Sequence, residues 1–441
     1  MRKGEIDIIT LGCSKNLVDA ERLMRQLELA GYRCVHDSPQ PNGEIAIINT
    51  CGFIGDAKEE SIEMILQFAD RKNKGKLSKL YVMGCLSQRY ANELPAEIPE
   101  VDGWFGKFDF LGIVREVQEF RSLEVQEIQS ETYERTLTTP SHYAYLKIAE
   151  GCNRYCSYCA IPLITGKFTS RAIEDILEEV KWLVSKGVKE LNVIAQDLSS
   201  YGLDLYGEHK LAELLDKMAQ VEGVEWIRIH YTYPTDFPYD ILPVMAKHSN
   251  ICKYMDIALQ HCSDNMLKLM RRRITREEQD ALIARIREEV PGICLRTTLL
   301  VGHPGETEED FSELCEWVKK MKFDRLGAFA YSEEEGTYAA RHYTDDIPQE
   351  EKDRRVDTIM AIQQTISSEI LSQMVGTQQR VVIDREEADY YVGRTQYDSP
   401  EVDCEVLIRK EGDEAKGKLK IGEVYTVNII KSEDFDLYAS L

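Results

Sequence analysis

What the sequence lacks narrows its class first. No uninterrupted run of about 18 apolar residues occurs, so no membrane-spanning helix and no membrane partner are expected. Residues 1–12 carry neither the apolar stretch nor the cleavage site of a secretory signal, and a cytoplasmic location is expected. No internal repeat or low-complexity tract is present. Positive charge is scarce: 54 Lys and Arg stand against 77 Asp and Glu, a net charge of −23. A surface that acidic repels phosphate backbones at long range and attracts a basic partner.

What is present is a chain of 441 residues, 43% of them apolar, enough for two or three domains with buried cores. Up to about residue 135, strand-like runs at 6–11, 44–49 and 79–83 alternate with helical patterns at 19–30 and 58–71. This predicts an open, mainly parallel α/β sheet over residues 1–135. A polar stretch at 124–141 reads as a linker. Six further apolar strands follow, at 145–149, 191–195, 226–230, 255–259, 295–301 and 326–331, with helical patterns such as 173–186 and 210–221 between them. Six units predict an incomplete (β/α)6 barrel over residues 140–375, whose ligands belong at the C-terminal strand ends. After a helix at 349–374, short strands at 379–384, 390–395, 405–409 and 424–430 predict a small OB-like β-barrel over residues 376–441.

Twelve cysteines in a reducing compartment point to metal or redox chemistry rather than to disulfides. Cys152, Cys156 and Cys159 have the spacing C-x3-C-x2-C and directly follow the first barrel strand. Three thiolates can hold three irons of a [4Fe–4S] cluster and leave the fourth open to an exogenous ligand. A zinc site would close with a fourth Cys or His nearby, and none follows at that spacing. Cys13, Cys51 and Cys85 each close a predicted parallel strand beside Gly12, Gly52 and Gly84. Parallel strands place these ends along one edge, which suits a second three-thiolate cluster; three separate buried cysteines are the alternative.

The motif around Cys152, Cys156 and Cys159 resembles the signature of the radical SAM superfamily. The segments LGCSKNLVD (11–19), NTCGFI (49–54) and MGCLSQRY (83–90) resemble the amino-terminal domain of the methylthiotransferases. Within that family they are closer to the branch that modifies an aspartate of a small-subunit ribosomal protein than to the tRNA-modifying members. The resemblance spans the chain and implies a methylthiotransferase domain, a radical SAM barrel and a carboxy-terminal TRAM domain. It also implies two [4Fe–4S] clusters, S-adenosyl-L-methionine as cofactor, a sulfur donor, and a low-potential electron donor such as a flavodoxin or ferredoxin. Tyr158 matches the position near the adenine of the cofactor, and Gln196 and Asp197, at the end of the second barrel strand, lie where its methionine part binds. Gln260, in DIALQH (256–261), ends the fourth strand and faces the same mouth. His261 and His303 are as readily structural as catalytic.

The run AIPLITGKFTSR (160–171) departs from the family: Leu163, Thr165 and Thr169 stand where many members carry basic residues. From 376 to 441 the chain has fifteen acidic and nine basic residues. Asp398, Glu401 and Asp403 put three carboxylates in one short loop, expected to touch a basic ribosomal protein. On this reading tRNA is not the substrate. The alternatives are a tRNA methylthiotransferase of the same fold and a non-catalytic iron–sulfur module that binds ribosomes. Cys34, Cys252, Cys294, Cys315 and Cys404 are expected to be packing residues; Cys262 lies next to a strand-end motif and is given no role.

Overall fold

The computed structural model describes residues 1–120, 133–410 and 419–441. Residues 124–132 of the expected linker lie outside that range. The first sheet is built from β1 (Arg2–Thr10), β2 (Arg33–His36), β3 (Gly43–Thr50), β4 (Lys79–Gly84) and β5 (Gly103–Trp104), in the order β2-β1-β3-β4-β5. Every pairing in it is parallel. Strand β3 is buried along its whole length, as a central strand covered on both faces must be. On one face Ile6, Ile8, Ile45 and Ile47 pack against Leu23 and Leu27 of helix α1 (Ser14–Leu29). On the other, Ala46, Ile48 and Val82 pack against Ile65 and Phe68 of α2 (Gly55–Asn73).

The second sheet contains β6 (Tyr143–Lys147), β9 (Glu190–Ile194), β10 (Trp226–Thr232), β11 (Ile251–Gln260), β12 (Cys294–Val301) and β13 (Arg325–Ala330). A small antiparallel hairpin, β7 (Ala149–Glu150) with β8 (Thr169–Ser170), lies at its edge. The six long strands are parallel and run in the order β6-β9-β10-β11-β12-β13, so the barrel is open between β13 and β6. Alternate residues face the helices and form the main core, among them Val193, Ile229, Met255, Ile257 and Leu299. The residues between them give an inner face of buried polar groups: Glu190, Asn192, Arg228, His230, Asp256 and Thr232.

The third unit is a closed five-stranded barrel, β14 (Gln378–Glu386), β15 (Tyr390–Thr395), β16 (Val406–Arg409), β17 (Val424–Ser432) and β18 (Leu437–Ser440). It seals the N-terminal ends of the large barrel's strands, opposite the cysteine loops. Arg394 pairs with Glu190 at 2.7 Å, and Arg228 donates to the Gln396 carbonyl at 2.7 Å. His142 meets Asp384 at 2.8 Å.

This seal predicts an acid sensitivity. Burial alone raises the Glu190 carboxyl, but Arg394 and Arg228 outweigh it and hold the group below its ordinary value. A carboxyl depressed in the folded state stabilises it above the unfolded value and stops doing so as pH falls through the folded one. Thermal melting followed from pH 7 downward is therefore expected to lose stability below the ordinary glutamate range. Glu190→Gln should lower the melting midpoint at pH 7 and flatten this acid limb; an unchanged acid limb in that variant would remove Glu190 as its source.

Candidate active site

The barrel triplet sits on the loop after β7. Gly151 (φ +83°) makes the loop possible: a Cβ there would lie 2.2 Å from the Lys167 carbonyl oxygen, so the chain crosses itself where only glycine fits. Cys156 is buried, and Cys152 and Cys159 are half-buried. The Cys159 amide donates to the Cys156 carbonyl at 3.1 Å, which turns the loop back on itself. Burial pushes the Cys152 thiol up to about 12, and the charges of Asp197 and Cys156 add to it. Cys159 is raised by burial and by both of its neighbours. Cys152 and Cys159 thus sit in a low-dielectric spot where deprotonation needs a compensating positive group.

Arg272 was hidden from sequence reasoning in the run Arg271–Arg272–Arg273, which looks like a solvated charge patch. Its guanidinium is buried, lies 4.0 Å from the Tyr233 ring centroid and donates to the Ala258 carbonyl. Nη1 donates to Cys156 Sγ and to the Tyr158 hydroxyl, both at 3.4 Å. Arg272 therefore supplies a fixed positive charge beside the triplet. The Tyr233 hydroxyl is 3.3 Å from the same sulfur.

The N-terminal cysteines come together at the edge of the first sheet. Cys13 precedes α1, Cys51 follows β3, and Cys85 opens the short helix α3 (Cys85–Arg89). A Cβ on Gly12 would lie 3.0 Å from Cys51 Sγ, and one on Gly52 would lie 2.8 Å from the Cys85 carbonyl carbon. The three strand ends touch through glycines. Asn16 ties them: Nδ2 donates to the Leu11 and Thr50 carbonyls at 3.0 and 3.1 Å, and Oδ1 accepts from Cys85 Sγ at 3.6 Å. Burial, with Cys13 and Cys51 adding to it, pushes the Cys85 thiol up to about 12 against the pull of Lys107.

The two triads adjoin one another. Cys85 packs with Ala160 and Ile164, the residues just beyond Cys159. A buried polar layer also joins the domains: Lys107 pairs with Glu150 at 2.8 Å and Asp19 at 3.6 Å, and Lys147 pairs with both carboxylates. Gln196 donates to Glu150 from the same layer.

Each triad offers three thiols, the donor type of an iron–sulfur cluster. Among the described residues no three His, Cys, Asp or Glu groups converge tightly enough to hold one metal ion. Cluster cysteines bind separate irons and need no such convergence. The barrel's inner face and rim also hold buried polar atoms with hydrogen-bonding capacity to spare. Asn192 Nδ2, Gln196 Oε1 and Asp197 Oδ1 are buried without a hydrogen-bond partner among the described residues. Native structures seldom leave such atoms unmet. Asp197 Oδ2 accepts from Arg154 Nε at 2.7 Å, leaving Oδ1 for a further donor. Gln260, at φ +71°, is a non-glycine residue held in the left-handed region at the end of β11.

Other candidates resolve into structure. His303 bonds Ser157 Oγ at 3.0 Å and the Pro304 carbonyl at 2.9 Å, and burial pushes it down to about 4. His261 is buried against Glu306 at 3.1 Å. Cys262 belongs to the helix-facing core.

The acidic loop needs a correction. Asp398 is buried and paired with Arg325; Asp403 is paired with Arg296 at 2.6 Å and accepts from the Tyr254 hydroxyl at 2.9 Å. Only Glu401 is exposed, and it accepts from the Tyr143 hydroxyl at 3.0 Å. Two of the three carboxylates expected to greet a basic partner are spent on arginines of the large barrel, at the end away from the cysteines.

Residues 146–318 match the profile of the radical SAM superfamily, residues 5–106 that of uncharacterized protein family UPF0004, and residues 375–441 that of the TRAM domain. The chain is 60% identical over 441 residues to the ribosomal protein uS12 methylthiotransferase RimO of Bacteroides thetaiotaomicron, covering 100% of this chain and 99% of the relative. It is 54% identical over 441 residues to the RimO of Porphyromonas gingivalis, covering all of both. Among solved structures it resembles the radical S-adenosylmethionine methyltransferase TsrM from Kitasatospora setae, with cobalamin and a [4Fe-4S] cluster bound. The TM-score is 0.54 at 13% identity, over 86% of this chain and 77% of that one. The cobalamin-dependent radical enzyme OxsB, with aqua-cobalamin and S-adenosylmethionine bound, gives a TM-score of 0.53 at 11% identity, over 81% and 56%. At such identities these likenesses speak for the fold alone.

Proposed function

The chain belongs to the RimO methylthiotransferases, radical SAM enzymes, and from that premise we propose that it adds a methylthio group to the β-carbon of an aspartate in ribosomal protein uS12. The observation that carries the proposal is the meeting of two cysteine triads, one at the C-terminal ends of parallel strands and one on the loop after β7, across one buried polar layer. Cys152, Cys156 and Cys159 would hold one [4Fe–4S] cluster, and Cys13, Cys51 and Cys85 a second. Together the barrel cluster and S-adenosyl-L-methionine would supply a hydrogen-abstracting radical, and the N-terminal cluster the sulfur to be transferred.

The chain's own residues would position these groups. Gln196 Oε1 and Asp197 Oδ1 offer acceptors to the ammonium of the cofactor's methionine part, and Arg154 holds the Asp197 carboxylate in place. Tyr158, fixed by Arg272, would lie along the adenine, and Gln260 would close the rim. A radical intermediate requires water to be kept from the space between the triads, which a bound substrate would complete over the exposed Cys13. Electrons would come from a low-potential donor, a flavodoxin or ferredoxin, and sulfur from a separate donor. The net charge of −23 suits a basic ribosomal protein and repels tRNA.

The deciding experiment incubates the anaerobically reconstituted protein with S-adenosylmethionine, reductant, sulfide and either uS12 or tRNA, followed by mass spectrometry. A methylthio group on the uS12 aspartate is expected. Modified tRNA with unmodified uS12 would overturn the substrate, and no 5′-deoxyadenosine from a fully loaded protein would overturn the chemistry. Reconstitution to fewer than about eight irons per chain would rule against two clusters.

A further inference from the structure

A chain with a net charge of −23 repels acidic partners at long range. The segments that cover the barrel triad carry charge of the other sign. Ser157, between Cys156 and Cys159, is buried; its amide donates to the Met270 carbonyl at 3.0 Å and its carbonyl accepts from the Ala339 amide at 2.7 Å. Two stretches of chain, 270–273 and 338–342, therefore close over the cysteine loop. In the first, Arg272 turns inward to Cys156 Sγ, while its neighbours Arg271 and Arg273 stand at φ +58° and +54°, the one half-buried and the other exposed. In the second, Arg341 and His342 are exposed.

The two stretches meet at the surface. The Arg271 guanidinium lies 4.4 Å from the Tyr338 ring centroid, and Tyr338 stacks on His342 at 3.9 Å. A Cβ on Gly336 would lie 3.7 Å from Arg341 Nη2 and 3.2 Å from the Leu163 side chain, so Arg341 reaches the segment just beyond Cys159. Among the described residues Arg271, Arg273 and Arg341 have no carboxylate oxygen within 4.0 Å, whereas Arg276, in the same region, is paired with Glu313. Glu334 and Glu335, which precede Arg341, are held by Lys58 and Arg89. Tyr338 and Leu163, 37% and 52% exposed, add apolar surface to the patch.

Unpaired surface arginines are ordinary; these three flank the loop into which an electron must pass. Donors of the flavodoxin and ferredoxin classes are small acidic proteins, and an acidic chain repels them unless a local basic surface receives them. We propose that Arg271, Arg273 and Arg341, with Tyr338 and Leu163, form the docking surface for an acidic electron-donor protein. One electron leaves the docked donor and enters the barrel cluster; the donor is oxidised by one electron, the cluster is reduced by one, and no atom changes hands. A small, transient interface is enough for a redox encounter. RNA phosphates would also meet these arginines, but RNA binding gives no reason for them to sit on the cysteine loop, and the rest of the acidic surface opposes it. The inference rests on the radical chemistry of the proposed function and not on its acceptor.

The test uses the reconstituted protein, the variant Arg271→Glu/Arg273→Glu/Arg341→Glu, and flavodoxin as the probe. Titration with oxidised flavodoxin gives its affinity. Stopped-flow flavin absorbance, starting from reduced flavodoxin with S-adenosylmethionine present, gives the rate of electron delivery. In wild type both should weaken as salt is raised. In the variant, delivery at low salt should fall by on the order of tenfold to a hundredfold and lose its salt dependence. Cleavage driven by excess dithionite, a small reductant that needs no docking surface, should stay at the wild-type rate with unchanged iron content. Arg→Gln at the same three positions replaces the variant if it does not load. A loaded variant that keeps wild-type affinity and delivery, or that loses dithionite-driven cleavage to the same extent, overturns the inference. So does one that loses affinity for a ribosomal RNA fragment while flavodoxin still delivers electrons at the wild-type rate, which would make the patch an RNA site. Wild type that neither reduced flavodoxin nor reduced ferredoxin can serve, although dithionite can, also overturns it. Wild type that forms no 5′-deoxyadenosine even with dithionite overturns the proposed function first, and the inference with it.

Discussion

Cys156→Ala is expected to abolish 5′-deoxyadenosine formation and methylthio transfer together, while the protein keeps about half of the about eight irons expected of two clusters. Cys156 is the buried member of its triad, and its sulfur receives Arg272 Nη1 at 3.4 Å beside the Tyr233 hydroxyl at 3.3 Å. Alanine removes the thiol proposed as a cluster ligand, and with it the Arg272 contact at 3.4 Å. Two remaining thiols, each raised by burial, have no reason to ionise without the cluster. The N-terminal triad touches the barrel loop through Cys85 and Ala160, not through Cys156, so its iron should remain. Iron analysis and chromatography for 5′-deoxyadenosine check this directly. A variant that still cleaves S-adenosylmethionine at the wild-type rate would remove Cys156 from the radical-forming site.

The two triads were legible because each marks a strand end, and strand ends are readable from local apolar runs. The spacing at Cys152, Cys156 and Cys159 spans one loop. Cys13, Cys51 and Cys85 could be joined because a parallel sheet puts the ends of β1, β3 and β4 on one edge. Strands β2 and β5 passed unnoticed, since four-residue and two-residue edge strands carry too little alternation to read. Long-range charge pairing is the other blind spot. Asp398 and Asp403 form an acidic loop by composition, but Arg325 and Arg296, 73 and 107 positions earlier, neutralise them once the barrel's lower end is closed. Arg272 was masked by its neighbours in the opposite sense, a buried charge in a run that looks exposed. Asn16 shows what a motif can contain beyond its cysteine: the residue three positions after Cys13 pins all three strand ends.

Glu334 closes the opposite side of the domain contact, and its removal should separate radical formation from sulfur transfer. It follows β13, is 2% exposed, and accepts from Lys58 Nζ at 2.9 Å and Arg89 Nη1 at 2.6 Å, both from the N-terminal domain. Arg89 Nη1 also donates to the Gly52 carbonyl at 2.9 Å, so the clamp reaches the residue next to Cys51. Lys58 stays firmly charged: burial lowers its pKa, but the bond to Glu334 raises it further. Glu334→Ala removes the buried carboxylate between these two cations and leaves them only the exposed Glu335, 3.6 Å from Arg89 and 3.9 Å from Lys58, so the loss is at most the about 3–5 kcal/mol of breaking a fully buried pair. Spent on the domain contact, that energy moves the closed arrangement by up to roughly a hundredfold. The Glu334 side chain bonds Lys58, Arg89 and Ser332 and, among the described residues, none of the barrel cysteines, so S-adenosylmethionine cleavage should continue while methylthio transfer falls. The ratio of 5′-deoxyadenosine to methylthio product, measured on the same reaction, is expected to rise by a comparable factor, and Glu334→Asp should restore part of the coupling. A lower melting midpoint with an unchanged ratio would make Glu334 a stabilising residue without a part in positioning the N-terminal triad.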